Sequence, residues 1–244
     1  MKAILLVAGY ATRLYPLTKD RPKALLSVGG MPLLDHILRG VNAIGEVDEI
    51  HVVSNDKFYP QFRAWADAHG DARLRVHNDG TREDGARLGA IGDIAFALRQ
   101  GNIDDDCLIV AGDNLLMIDY ADFFRAYAAR GRRPLLLAQK MDDVATLRRF
   151  AVAELDAQGR VLRLVEKPAQ PPSQNGVFAL YLYPAASVRR IAEYLAQGNS
   201  PDAPGNFAVW LSAREPVYAY VTEQPCYDIG THESLALVRS IYGP

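Results

Sequence analysis

The chain has little cysteine: Cys107 and Cys226 are the only two in 244 residues. Two thiols cannot build a disulfide framework, and this usage fits a reducing, cytoplasmic setting. It also has no apolar run of membrane-spanning length, so a membrane protein is not expected. The start, MKAILLVAG, lacks a signal-peptide pattern and runs into a glycine turn, so it reads as a first buried strand. Excess positive charge is missing too. The formal net charge is -2, which argues against nucleic acid as a partner and requires any phosphate-binding charge to be local. Lysine is scarce beside arginine, the five histidines show no metal-ligand spacing, and there is no internal repeat or low-complexity tract.

What is present is a βα rhythm. Ala3 to Ala8 is a continuous apolar run, the mark of a strand buried on both faces. Helical spacing follows over Pro32 to Ile44, then a strand (Glu49 to Ser54), a helix (Tyr59 to His69) and a strand (Leu74 to His77). A Gly- and Asp-rich loop, Asn78 to Ala90, leads into a helix ending near Arg99. Strand Cys107 to Ala111, helix Tyr120 to Ala129 and strand Pro134 to Gln139 complete the first half. The second half begins with a hairpin, Phe150 to Leu155 and Val161 to Glu166 around Asp156-Ala157-Gln158-Gly159. A strand over Val177 to Tyr183, a helix over Pro184 to Gln197, a strand over Val217 to Val221 and a terminal helix over Thr231 to Tyr242 follow. The pattern predicts an α/β fold with a doubly wound, mostly parallel central sheet and a small β-hairpin insertion. The Gly9 and Asp113 loops fall at carboxyl ends of its strands, where such sheets bind ligands.

Four segments carry chemistry. In LLVAGYATRLYPLTKDRPKALL (Leu5 to Leu26) a buried strand ends in a small-residue turn, followed by Arg13 and Lys23. Backbone N–H groups of such a turn can cradle phosphate oxygens, and two cations can neutralise them; a solvated loop is the plainer reading. In VAGDNLL, Asp113 closes an apolar strand and is placed to hold Mg²⁺, which needs only one or two carboxylates beside phosphate and water; it could also cap a turn. In CYDIGTHES, Asp228 precedes a Gly-Thr turn and could be another cap. In VEKPAQPPS, the pair Glu166-Lys167 ends a strand and could be a solvated edge.

Taken in order, these segments resemble the sugar-1-phosphate nucleotidylyltransferases, the glucose-1-phosphate thymidylyl-, uridylyl- and cytidylyltransferase family. The family's motif Gly-x-Gly-Thr-Arg-Leu-x-Pro-Leu-Thr, then Pro-Lys, is matched by Gly9, Thr12, Arg13, Leu14, Pro16, Leu17, Thr18, Pro22 and Lys23. The resemblance covers nearly the whole chain and implies a single domain over 1–244, with 1–140 mainly binding NTP and 141–244 mainly binding the acceptor. It implies catalytic roles for Arg13, Lys23 and Lys167, and Mg²⁺ held by Asp113 and Asp228. It implies nucleotide contacts from Ala8, Gly9, Tyr10, Ala11, Thr12, Arg13 and Asp113, with the base read by Asn78, Gly89 and Ala90. It implies acceptor contacts from Asn114, Ala151, Glu166, Lys167, Phe178 and Ala179. The expected partners are an NTP and a phosphorylated small molecule, a sugar 1-phosphate first; homodimers are common in the family.

Three alanines stand where the family usually has glycine: Ala11, Ala151 and Ala179. A methyl shrinks the space left for a sugar ring, and alanine resists positive φ. Phe178 also replaces the usual Thr. A polyol or amino-alcohol phosphate therefore stands as an alternative acceptor, and a non-catalytic nucleotide-binding regulator as an alternative of another class. A glycosyltransferase of similar topology would leave the Pro-Lys and Glu-Lys-Pro elements without a role, and a dehydrogenase would need a triple-glycine spacing that is missing.

Overall fold

A computed structural model describes residues 1–244. The first half lays down β1 (Lys2–Leu6), the short ribbon β2 (Ser27–Val28) and β3 (Met31–Pro32), α1 (Leu33–Asn42), β4 (Glu49–Ser54), α2 (Tyr59–His69), β5 (Leu74–Asn78), α3 (Ala90–Gln100), β6 (Cys107–Ala111), β7 (Asn114–Leu116), α4 (Tyr120–Ala129) and β8 (Leu135–Lys140). The second half adds α5 (Val144–Leu147), β9 (Ala151–Leu155), β10 (Val161–Glu166), β11 (Asn175–Tyr183), α6 (Ala185–Ala196), α7 (Pro204–Ser212), β12 (Tyr218–Thr222), β13 (Cys226–Asp228) and α8 (His232–Tyr242).

The main sheet runs β10-β9-β11-β6-β1-β4-β5, with β8 and β12 joined along the other edge of β11. Pairs β5–β4, β4–β1, β1–β6 and β8–β12 are parallel, and β11 is antiparallel to β6, β8 and β9. Only β11 and β10, the second strand of the β9–β10 hairpin, oppose the rest, so the sheet is mostly parallel in strand direction. The reversal at β11 lets the second half fold back beside β6 and face the first half across the carboxyl ends of β1 and β6.

Helices cover both faces, as a sheet of buried apolar strands requires. Apolar side chains of α1, α2 and α4 build the core on one face, and those of α3, α6 and α7 the core on the other. A third, smaller cluster packs Leu14, Leu26, Leu115 and Ile229 under Leu235 and Val238 of α8. It ties the Arg13 loop, the β7–β13 ribbon and the terminal helix into one support. α8 starts with a reciprocal cap in which Thr231 and Ser234 each accept from the other's backbone N–H, so serine fills the place of the usual Glu. No helix is long and apolar enough to cross a membrane.

The strands and helices expected from sequence all form, most within a residue or two. α5, α7 and the β2–β3 and β7–β13 ribbons are not among the elements expected from sequence.

Candidate active site

The carboxyl ends of β1 and β6 open into a cavity of about 420 Å³. Its wall draws on distant segments: Ala8, Gly9 and Arg13 after β1, Gly89, Ala90 and Asp93 at the start of α3, Asp113 and Asn114 after β6, Ala151 from β9, Glu166 and Lys167 after β10, Ala179 and Tyr181 from β11, Gly205 from α7 and Asp228 from β13.

Two carboxylates meet at its centre. β13 pairs antiparallel with β7 so that Asp228 lies opposite Asn114, and the Ile229 N–H donates to the Asp113 carbonyl at 3.0 Å. This ribbon carries residues 115 positions apart in sequence to one point. Lys23 Nζ lies 2.7 Å from Asp113 Oδ2, in a part-buried ion pair. Burial raises the Asp228 pKa, the neighbouring Asp113 charge raises it further, and Lys23, Arg149 and Arg13 oppose the shift. The pair offers hard oxygen donors, no third His, Cys, Asp or Glu joins it, and Mg²⁺ fits such a set when phosphate oxygens and water complete its shell.

The loop after β1 is held from within. Thr18 Oγ1 donates to the Ala11 carbonyl at 2.8 Å, and Asn55 donates to the Ala8 carbonyl at 2.8 Å. Ala11 does adopt the left-handed conformation, φ 50°, that the family's glycine would take freely; for alanine this costs about 1 kcal/mol. Thr12 lies in the single 3₁₀ turn that projects Arg13 into the cavity. Lys23, Gly9, Ala11 and Asp113 line a smaller recess beneath the loop. Tyr10 is buried beside Phe58, with ring centroids 6.4 Å apart, and does not line the cavity.

On the acceptor side, burial raises the Glu166 pKa, opposed by Lys167, whose Nζ stands 3.8 Å from Oε1. Lys167 itself sits at φ 46°, a left-handed kink that ends β10 and turns its exposed side chain along the cavity rim. Gly205, at the start of α7, makes room for Glu166: a methyl there would overlap Oε2 and approach Ala151 Cβ at 3.3 Å. Ala151 and Ala179 both line the cavity from regular strands, so the positive-φ concern applies to Ala11 alone.

Three sequence expectations need correction, and Tyr10 is the first of them. Phe178 faces the other side of β11, where its ring packs 4.9 Å from Phe150; strand alternation puts Val177 and Ala179 in the cavity instead. Asn78 is the turn former: its amide donates to Asp56 Oδ1 at 2.7 Å and its carbonyl accepts from Gly80 N at 2.8 Å. Ala90 lines the cavity, although the first amides of α3 are occupied within the protein: the Ala90 N–H donates to the Asp202 carbonyl at 3.1 Å and the Ile91 N–H to the Pro201 carbonyl at 2.8 Å. Gly89 is required where it stands, with φ +79° and the Pro201 carbonyl against its Cα.

Sequence reasoning missed Asp93, Arg149, Tyr181 and the Asp202–Gly205 segment, all of which line the cavity. Asp93 carried a signal: it shares a helix face with Ala90 and Ala97 inside the apolar run AIGDIAFAL, an unusual place for a carboxyl group.

The family model for nucleotidyl transferases matches residues 2–242. The chain is 31% identical over 194 residues to a provisionally named mannose-1-phosphate guanyltransferase of Sulfolobus acidocaldarius, covering 78% of this chain and 50% of that protein. It is 30% identical over 189 residues to the glucose-1-phosphate thymidylyltransferase of Streptomyces antibioticus (76% and 50%). It is 26% identical over 187 residues to a UTP–glucose-1-phosphate uridylyltransferase of Haloferax volcanii (76% and 73%). The chain thus spans about half the length of most of the curated relatives it matches. Among solved structures, a provisionally named glucose-1-phosphate thymidylyltransferase from Bacillus anthracis, in complex with a sucrose, superposes with a TM-score of 0.86 at 21% identity, covering 100% of this chain and 95% of that one. At that identity the likeness establishes the fold.

Proposed function

We propose that this chain, which belongs to the nucleotidyl transferase family, transfers a nucleotidyl group from an NTP to a sugar 1-phosphate with Mg²⁺ bound at Asp113 and Asp228. The observation that carries the reading is the convergence of Arg13, Lys23, Asp113, Asp228 and the Glu166-Lys167 pair on one cleft at the strand ends. Relatives named for thymidylyl, uridylyl and guanylyl transfer to hexose 1-phosphates support the reaction class and leave the base open.

In this reading an oxygen of the acceptor phosphate attacks the α-phosphorus of the NTP. A new P–O bond forms, the bond from the α-phosphorus to the bridging oxygen breaks, and pyrophosphate leaves with that electron pair. The protein forms no covalent bond; it positions the reactants and neutralises charge. The Gly9 to Thr12 backbone and Arg13 hold the β- and γ-phosphates. Lys23 gives up part of its pairing with Asp113 to meet negative charge at the α-phosphate. Lys167 orients the acceptor phosphate, and Glu166 accepts from acceptor hydroxyls. Bound at the two aspartates, Mg²⁺ supplies a further positive charge to the phosphate oxygens.

A sugar remains the best-supported acceptor, because Glu166 is held inside the cavity by Gly205, where a carboxylate can take two hydroxyl donors. The methyls of Ala151 and Ala179 narrow that end and favour a slim or tilted ring.

The test is pyrophosphate release from each NTP against a panel of hexose 1-phosphates and polyol phosphates, with Lys23→Ala alongside. Release with a hexose 1-phosphate, cut at least 100-fold in Lys23→Ala, is expected. The absence of release with every acceptor of the panel would refute the reading.

A further inference from the structure

Asp93 has no place in the chemistry described above. It lies in the first turn of α3, is 7% exposed and lines the cavity beside Gly89 and Ala90. Its carboxyl group has no protein partner: Oδ1 is sealed from solvent without a hydrogen bond, and no cation pairs with it. The charge that acts on it is another carboxylate, Asp79, which repels it. Asp79 in turn is half engaged: Oδ1 accepts from the backbone and hydroxyl of Thr81 at 2.7 Å each, while Oδ2 is buried and unpartnered. The orphan oxygen of Asp93 in the cavity wall, with the buried Asp79 charge nearby, is costly to bury unless a ligand brings donors.

α3 packs on β1, so this wall faces the strand end that leads into the phosphate loop. If an NTP is anchored at Gly9 to Arg13, its base can lie against this wall, which shares the cavity with Ala8 and Gly9. The surrounding residues, Leu6, Ala8, Gly89, Ala90 and Ala111, are small or apolar and give a planar ring a flat bed, with Arg87 and Asp202 the charged side chains nearest Gly89 and Ala90 in the lining. An ionised carboxylate offers only acceptors, and two of them; Oδ1 is sealed as the side chain stands, so the contact requires a turn of the Asp93 side chain that presents both oxygens to the cavity. Among the common bases, guanine alone presents two adjacent N–H donors on one edge, N1–H and the 2-amino group. Uracil and thymine set a carbonyl on either side of their single N–H and would oppose it.

Resting on the nucleotidyl-transfer reading, we infer that Asp93 selects GTP by accepting both donors of the guanine Watson–Crick edge. The same contact explains why the group is tolerated. Burial and Asp79 push its pKa up to about 8 in the free protein, and two N–H donors favour the ionised form and relieve that strain.

The test compares kcat/KM for GTP, ITP, XTP, UTP and dTTP in wild-type protein and in Asp93→Asn and Asp93→Ala. One bidentate base contact gives between about 5- and 150-fold discrimination. Wild type should prefer GTP, and ITP, which lacks the 2-amino group, should lose within that range through KM. Asp93→Asn should drop GTP and gain on XTP, whose N1–H and C2 carbonyl match an amide. A merely structural role cannot produce that exchange. Asp93→Ala should level the NTPs, which keeps the idea testable if the Asn variant folds poorly. Robust turnover with UTP or dTTP ahead of GTP, unchanged by either substitution, overturns the assignment of Asp93 and leaves the transfer reading intact; no pyrophosphate from any NTP overturns the transfer reading itself.

Discussion

Gly205→Ala should separate stability from function. Gly205 lies in the first turn of α7 with no positive φ, so alanine suits the backbone there and should add roughly 0.5–1 kcal/mol of stability. The new methyl, however, overlaps Glu166 Oε2, stands 3.1 Å from Glu166 Cδ and presses on Ala151 Cβ at 3.3 Å. The carboxylate is the movable partner, being the end of a three-bond side chain, and it must swing away. If Glu166 accepts a hydroxyl of the acceptor, the variant loses one charge-assisted hydrogen bond, about 1.5–3 kcal/mol, or roughly 10- to 150-fold in kcat/KM for the acceptor. KM for the NTP should not change, because Arg13 and the phosphate loop are untouched. Thermal unfolding should show Tm equal to wild type or up by about 1–3 °C. The double variant Gly205→Ala/Glu166→Ala should be no worse than Glu166→Ala alone, since both remove one contact. An acceptor KM equal to wild type with a folded protein would refute the placement of Glu166.

Two further perturbations follow from buried charge. In metal-free protein, Asp228→Asn removes one of two facing carboxylates, so Tm should rise by about 1–3 °C; Mg²⁺ should raise Tm of the wild type and not of the variant, and a retained Mg²⁺ shift would contradict the ligand assignment. His51 and His77 stack with Nδ1 and Nε2 2.9 Å apart, and burial first lowers both pKa values, that of His77 to about 4. Because the unfolded chain takes up these protons near 6.5, stability should be full above pH 7 and fall as pH drops from 6.5 toward 4. The loss should be about 2 kcal/mol after allowance for partial exposure; chemical denaturation across that range in His77→Gln should show a flatter profile.

Much of the molecule is legible in its residues, and for identifiable reasons. β1 and β6 are apolar runs because both sheet faces are covered, and α1 and α2 keep one wet face, so their period shows. α7 was invisible because it is buried nearly all round: Gly205, Phe207, Ala208, Trp210 and Leu211 leave no polar stripe to set a period. The β7–β13 ribbon is three residues long on each side and exists only through pairing across the chain. At the site, Arg13, Lys23, Asp113 and Asp228 each had a plainer reading alone, as a solvated loop or a turn cap, and the family resemblance joined them; the structure brings them to one cleft. Phe178 was misplaced by one residue of strand alternation, and Asn78 by local bonds, to Asp56 and Gly80, that sequence does not announce. Asp93 asked for the opposite reading: an acid inside an apolar helix face is a question put to a ligand.

The most direct test follows the label from NTP. With a sugar 1-phosphate and Mg²⁺, phosphorus-32 at the α-position should move into a product stable to phosphatase, while label at the γ-position should leave entirely as pyrophosphate. Label from the γ-position in the sugar product would mark a kinase, and no transfer from either position would mark a protein that only binds nucleotide; either result would contradict nucleotidyl transfer at this cleft.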